Sequence, residues 1–319
     1  MGFTVETLQE KSGISNSIQI YNALEKLKYK LENSELIHTG MLANQTDGQN
    51  SYVEIKDATF DFDPYEPYIS INQDFKTPRI YLSRELEWYK SMDLSIIGHS
   101  GIEDNPTWNS CCTKDEKKEV NSNYGWCVFS KENGYQYQNV LNTLTRDITS
   151  RNAVIIYTRP NIHTDMHRNG MHDMICTVFS QFFIRNNRLE MSHFMRSNDI
   201  KFGLICSDLA WNCFVYQNMY EDLKKIYPGL EPGKIHWVST SLHLYSRHYD
   251  ALRNLSFDRG VSFTEKEKKV MLEAFYSLYS SYNNSLLPQD QDFLERYEKE
   301  KNEASLLMNN ISNKLGLQK

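Results

Sequence analysis

Early in the chain, apolar residues recur at Ile20, Leu24, Leu27 and Leu31. Spacings of three and four lay them along one stripe and predict a helix over 16–33. The rhythm then changes to alternation. Residues 52–72 read as short strands with turns at Pro64 and Pro67. "SRELEWYKSM" (83–92) predicts a helix capped by Ser83. Residues 101–123, with the run "KDEKKE", predict a polar surface loop. "YQYQNVLNTLTRDI" (135–148) is helical in pattern, and "NAVIIYT" (152–158) is the continuous apolar run of a buried strand. A hairpin is expected over 177–197, turning at Asn186 and Asn187. "DLAWNCFVYQNMYEDLKKIYP" predicts a long helix stopped by Pro228. "KIHWVST" predicts a strand leading into "SLHLYSRHYDALRNL". Beyond it, Thr264 and Glu267 form a capping-box pattern ahead of Met271, Phe275, Leu278 and Tyr282, and a charged helix follows Pro288. The expected division is a main unit over 1–255 and a helical appendage over 256–319.

Composition narrows the class. With 319 residues, the chain is long enough for a core that needs no covalent staples. A formal charge of −6 argues against a general nucleic-acid or membrane-surface binder, and no direct DNA binding is expected. The six cysteines, Cys111, Cys112, Cys127, Cys176, Cys206 and Cys213, show no CxxC spacing, and no signal segment opens the chain. That combination fits reduced thiols in a cytoplasm. No apolar run approaches the length of a membrane span.

Chemistry enters at "GMHDMICTVFSQFFI", where Cys176 heads an apolar strand. A lone strand cysteine is ordinarily a small core residue. Its neighbours change that reading. "RELEWYKS", "NSNYGW", "IIYTRP", "GMHDMICT", "MRSNDIKFG", "DLAW" and "SLHLYSRH" follow an order and spacing that resemble the thymidylate synthase superfamily. Within it, the phage deoxycytidylate hydroxymethylases are the nearest likeness. The resemblance covers roughly residues 20 to 250. It implies an α/β (α+β) fold, a mixed β-sheet packed with helices in the catalytic domain. It also implies a homodimer joined sheet to sheet, in the host cytoplasm if the protein is phage-encoded.

The resemblance also implies a reaction. A thiolate adds to carbon 6 of the pyrimidine, making carbon 5 nucleophilic toward the one-carbon unit of 5,10-methylenetetrahydrofolate; this is covalent catalysis. Water or hydride then decides between hydroxymethyl and methyl. Cys176 matches the nucleophile and Glu85 the proton-moving carboxylate. Arg196 and Ser197 match the phosphate grip, with Arg151 lent by the other subunit across the interface. Asn152 stands where the family usually has a second arginine, and Arg146 or Arg159 is a candidate replacement. Gln181 follows the nucleophile at the family's spacing, and His243 and Tyr245 match the pair that bonds the sugar hydroxyl. Tyr124, Trp108 and Asp199 match positions lining the ring and folate pocket. Because Cys176-Thr177 replaces the synthases' Cys-His pair, Arg196 is expected to hold the thiol pKa down.

The base is read from the carboxylate position. Cytosine presents an amino donor beside a ring-nitrogen acceptor, which suits an aspartate. Counting from Gly203 reaches Ser207, whereas aligning on "DLAW" makes Asp208 the match after a one-residue insertion. We take Asp208, and with it dCMP as substrate. A deoxyuridylate hydroxymethylase, a methylating synthase, and a silent nucleotide- or RNA-binding relative are the alternatives. His163, His167 and His172 have spacings compatible with zinc, but a solvated loop is the simpler reading, and the chemistry needs no metal.

Overall fold

The computed structural model describes residues 15–38 and 51–258, with 261, 263, 264, 266 and 267. The helices are α1 (Asn16–Glu32), α2 (Arg79–Ser91), α3 (Pro106–Cys111), α4 (Tyr124–Phe129), α5 (Gln136–Arg146), α6 (Ile162–Asp165), α7 (Leu209–Ile226) and α8 (Tyr249–Arg253). The strands are β1 (Ile37–His38), β2 (Ser51–Phe62), β3 (Val154–Ile156), β4 (Thr177–Arg185), β5 (Arg188–Met195), β6 (Asn198–Asp199) and β7 (Glu231–Tyr245). They form one mixed sheet ordered β1-β2-β7-β5-β4-β3, with β6 paired to β7. β5 and β6 run parallel to β7, and the other pairings are antiparallel.

The local rules are visible in the elements. Ser15 Oγ accepts the Ile18 N–H and caps α1, which buries Ile20, Leu24, Leu27 and Leu31 as its spacing predicts. Arg185 pairs with Arg188 across a two-residue loop. Its Asn186 and Asn187 have φ of 51° and 60°, the left-handed geometry of a hairpin turn that asparagine tolerates. The sheet has two unlike faces. Ser180, Phe182, Ile184, Leu189, Met191, His193 and Trp237 are buried toward the helices. Phe179, Gln181, Phe183 and Phe194 lie half-buried on the other face, where the Phe179 and Phe194 rings stack 5.6 Å apart.

Four expectations are corrected. α2 begins at Arg79 behind Pro78, and Ser83 is no cap, because its Oγ donates back to Ile80 O at 2.9 Å. Residues 101–123 are not a surface loop: they contain α3, and Ile102, Cys112, Val120 and Asn121 are buried. The polar signal comes from Asp104, Thr107, Ser110 and part of the charged run, which stay exposed. The expected buried strand is an edge strand, β3, in which Ile156 stays 52% exposed. The short strands expected over 52–72 are one 12-residue strand, β2, ending at Phe62; the "KIHWVST" strand forms as expected and continues through "SLHLYS" as β7.

Met271, Phe275, Leu278, Tyr282 and the segment after Pro288, expected to be helical, lie outside the described residues. The capping box itself forms: Thr264 N–H donates to Glu267 Oε2 at 2.7 Å and Glu267 N–H to Thr264 Oγ1 at 3.3 Å. Glu267 also pairs with Lys76 and Arg79, at 3.5 and 3.2 Å. Among the described residues no helix is long and apolar enough to cross a membrane.

Candidate active site

Cys176 closes the loop that feeds β4, and the chain spends several polar groups on fixing that loop. Buried Asp173 accepts from the Asn121 and Ser122 N–H groups at 2.7 and 2.8 Å, and from Ser122 Oγ at 2.8 Å. Arg196, at the end of β5, grips the same loop from the other side. Its backbone N–H donates to Cys176 O at 3.0 Å. Its Nε donates to Ile175 O at 3.0 Å and its Nη2 to Met174 O. Nη2 lies 3.7 Å from Cys176 Sγ.

The expectation that Arg196 holds the thiol down is only half met. The guanidinium does pull that way, but burial outweighs it, and Asp208, Asp173 and Asp199 add to the rise. The thiol is pushed up to about 12. The resting thiol is therefore protonated, and addition must be coupled to loss of the Sγ proton.

Glu85 sits on α2 with only 3% exposure. Tyr89 Oη donates to its Oε1 at 2.7 Å, and the Tyr81 and Ser207 hydroxyls also bond to the carboxyl. Trp108 Nε1 in turn donates to Tyr81 Oη at 2.9 Å. Burial raises the Glu85 carboxyl to about 7, with the three hydroxyls holding it from going higher. Tyr89 also stacks on Tyr124, ring centroids 5.4 Å apart, and Tyr124 Oη accepts from Thr177 Oγ1 at 3.0 Å. The Glu85 and Cys176 regions are thereby joined.

Residues Ile200–Asp208 wind as a π-helix that runs directly into α7. A π turn holds one residue more than an α turn, which is how a helix absorbs a single insertion without shifting the turns beyond it. Within it Ser207 turns to Glu85 and Asp208 to Asn198, whose Nδ2 donates to Asp208 Oδ2 at 2.8 Å. Burial, then the Glu85 charge, push Asp208 up to about 8.

β7 supplies the opposite rim. Its His243 pairs in register with Asp199 of β6, and its ring meets Tyr245 edge-on at 5.0 Å. Asp199 caps the π-helix through the Lys201 and Phe202 N–H groups and lies 3.4 Å from Arg247. Ser197 is half-buried beside Arg196. A cavity of about 410 Å³ flanks Arg196, lined also by Ile156, Thr158, Arg159, His163 and Met174.

Arg151 and Gln181 are not brought here within one chain. Arg151 is exposed at the start of the edge strand, and Gln181 donates to its carbonyl at 2.7 Å. Arg159 is already paired with Asp165 at 2.8 Å. Sequence reasoning missed Tyr81, Tyr89 and Asn198. The two tyrosines stand four residues either side of Glu85 on one helix, so helical spacing could have found them. Asn198 meets Asp208 only through the fold. Among the described residues, no three His, Cys, Asp or Glu side chains group as a metal site.

A half-buried nucleophile beside a guanidinium, with two carboxyls held near neutrality, is equipped for covalent addition and proton transfer. The comparisons agree. The thymidylate synthase family model matches residues 23–264, and the chain belongs to the thymidylate synthase family. It is therefore an enzyme of one-carbon transfer to a pyrimidine nucleotide, in a family whose enzymes use methylenetetrahydrofolate. It is 38% identical over 201 residues to the deoxycytidylate 5-hydroxymethyltransferase of Enterobacteria phage T6, covering 62% of this chain and 77% of that protein. It is 28% identical over 116 residues to the deoxyuridylate hydroxymethyltransferase of Bacillus phage SP01, covering 36% and 28%. The solved structure of thymidylate synthase A from Bacillus subtilis matches with a TM-score of 0.54 at 17% identity, over 76% of this chain and 84% of that one, a likeness of fold.

Proposed function

We propose that the protein is a deoxycytidylate 5-hydroxymethyltransferase, converting dCMP to 5-hydroxymethyl-dCMP for modified phage DNA. The observation that carries this reading is Asp208: a buried carboxyl pushed up to about 8, and thus protonated at neutral pH. A carboxylic acid offers cytosine both partners it needs, an oxygen to accept from the 4-amino group and an O–H to donate to N3. The similarity to deoxycytidylate 5-hydroxymethyltransferases supports the same choice.

Cys176 Sγ adds to carbon 6 as its proton leaves, and Asp208 passes a proton to N3, so the ring does not accumulate negative charge. Carbon 5 becomes an enamine carbon. Methylenetetrahydrofolate supplies the one-carbon unit when bound. Trp108, the exposed ring of Phe202 and the Asp199 carboxylate fit a flat heterocycle carrying amino groups. Glu85, held near neutrality by burial and three hydroxyls, orders water and moves protons. Carbon 5 then loses its proton and tetrahydrofolate departs, leaving an exocyclic methylene on the ring; water adds to it, Sγ leaves carbon 6, and N3 returns its proton to Asp208. Arg196 and Ser197 hold the phosphate, with Arg151 from a second copy, and His243 and Tyr245 hold the sugar. That second copy covers the half-buried aromatic face of the sheet.

Incubation with dCMP and methylenetetrahydrofolate, followed by mass analysis, is expected to give hydroxymethyl-dCMP. Product from dUMP alone would make the enzyme a deoxyuridylate hydroxymethylase. A methyl product with dihydrofolate absorbance would make it a synthase. No product from either nucleotide would leave a binding relative.

A further inference from the structure

We propose that Trp237, Ser239 and Asn198 are specificity-determining positioning residues: a one-way hydrogen-bond chain that fixes which oxygen of Asp208 carries a proton, and so makes the pocket read cytosine rather than uracil. The inference rests on the deoxycytidylate reading above and deepens it.

A protonated aspartate alone does not discriminate between the two bases. Cytosine needs an acceptor facing its 4-amino group and a donor facing N3. Uracil needs the reverse, and a carboxylic acid supplies the reverse by moving its proton to the other oxygen. Something must forbid that second arrangement.

The chain behind Asp208 does so. Trp237 Nε1 donates to Ser239 Oγ at 3.0 Å. Ser239 Oγ bonds to Asn198 Oδ1 at 3.1 Å, and Asn198 Nδ2 donates to Asp208 Oδ2 at 2.8 Å. An indole N–H is only ever a donor. Ser239 therefore accepts at one end and must send its single proton to Asn198 Oδ1. That orients the amide, whose N–H then points at Asp208. Every link is buried, with Trp237 and Ser239 at 0% exposure and Asn198 at 1%, so no water competes for the order. The His193 ring lies tilted against the Trp237 ring, centroids 4.1 Å apart, and holds the indole in place.

Oδ2, already receiving an N–H, is the poor site for a proton, which falls to Oδ1. With the 4-amino group seated at Oδ2 and N3 at Oδ1, cytosine is matched and uracil meets two mismatches. Without the chain, the proton is free to sit on either oxygen.

The test compares kcat/KM for dCMP and dUMP in the wild type, Ser239→Ala and Trp237→Phe, the last of which keeps a ring against His193 while removing the N–H. Each variant loses one link, and the dCMP-to-dUMP ratio is expected to fall about tenfold in both. Loose packing alone lowers both rates together and leaves the ratio unmoved. In the wild type the ratio is also expected to decline as pH rises through about 8, and in the variants to be nearly flat. Where a variant gives no turnover, the same ratio is read from the dissociation constants of the two nucleotides. A wild type that prefers dCMP, with variants that keep its ratio, overturns the chain and leaves the deoxycytidylate reading standing. A wild type without dCMP preference overturns that reading, and the chain with it.

Discussion

At the scale of single residues, the cleft places two carboxyl groups where water cannot solvate their charge, and this costs stability. Asp208 in the unfolded chain ionises near its ordinary 3.8, whereas the folded group keeps its proton up to about 8. Below about pH 4 both states are protonated, so titration adds no penalty. Between about pH 4 and 8 the unfolded chain releases a proton that the fold retains, and stability falls with rising pH. Asp208→Asn removes that titration while leaving Asn198 an oxygen to donate to. The variant is therefore expected to be more stable than wild type by roughly 1–3 kcal/mol near pH 7.5, with the difference shrinking toward pH 4. Denaturant melts at the two pH values check this; equal stability at both would mean that Asp208 ionises normally in the fold. Glu85 was legible in the sequence because its motif is local. Its raised pKa was not, since that depends on the burial and the hydroxyls of Tyr81, Tyr89 and Ser207 that folding assembles.

At the scale of elements, the π-helix of Ile200–Asp208 is the feature the hydrophobic pattern could least predict. Its winding matches neither the period of a strand nor that of an α-helix, and only the residue count between Gly203 and "DLAW" hinted at an extra position. The long helix after it and the Asn186-Asn187 hairpin were legible, because each depends on near neighbours: periodic apolar positions in one, left-handed turn residues in the other. α2 was misjudged at its start because a serine looked like a cap when Pro78 had already begun the helix. The π turn also brings backbone against the site. A Cβ on Gly203 would lie 2.6 Å from Asp208 Oδ2 and 3.0 Å from Asn198 Nδ2. Gly203→Ala must therefore displace the end of a short side chain, a modest demand on the fold and a severe one on the site. The expected outcome is a kcat/KM for dCMP lowered roughly 10²-fold, with the unfolding midpoint shifted little. A variant with full activity would show that Asp208 can retreat without consequence.

At the scale of the whole molecule, the single chain leaves two matters open that one further copy would answer together. The sheet turns a half-buried aromatic face away from the core, with Phe179 and Phe194 stacked on it, in a position where a soluble protein ordinarily buries such rings. Arg151 meanwhile stands exposed at the edge strand, held through its carbonyl by Gln181, while Arg196 is occupied with the main chain of the Cys176 loop. A phosphate needs more positive charge than Arg196 has to spare. A two-fold contact through the sheet faces is self-complementary, so what one copy lends it also receives. If Arg151 crosses that contact, then Arg151→Ala and Cys176→Ala damage different chains' contributions to one site. Mixing the two inactive proteins, with brief denaturation to exchange subunits, yields hybrids in which one site has both intact residues and the other has neither. Random pairing makes half the dimers hybrid, so about a quarter of the wild-type activity is expected to return. If exchange is confirmed by mass and no activity returns, Arg151 serves its own chain's site or none, and the shared-site arrangement is wrong.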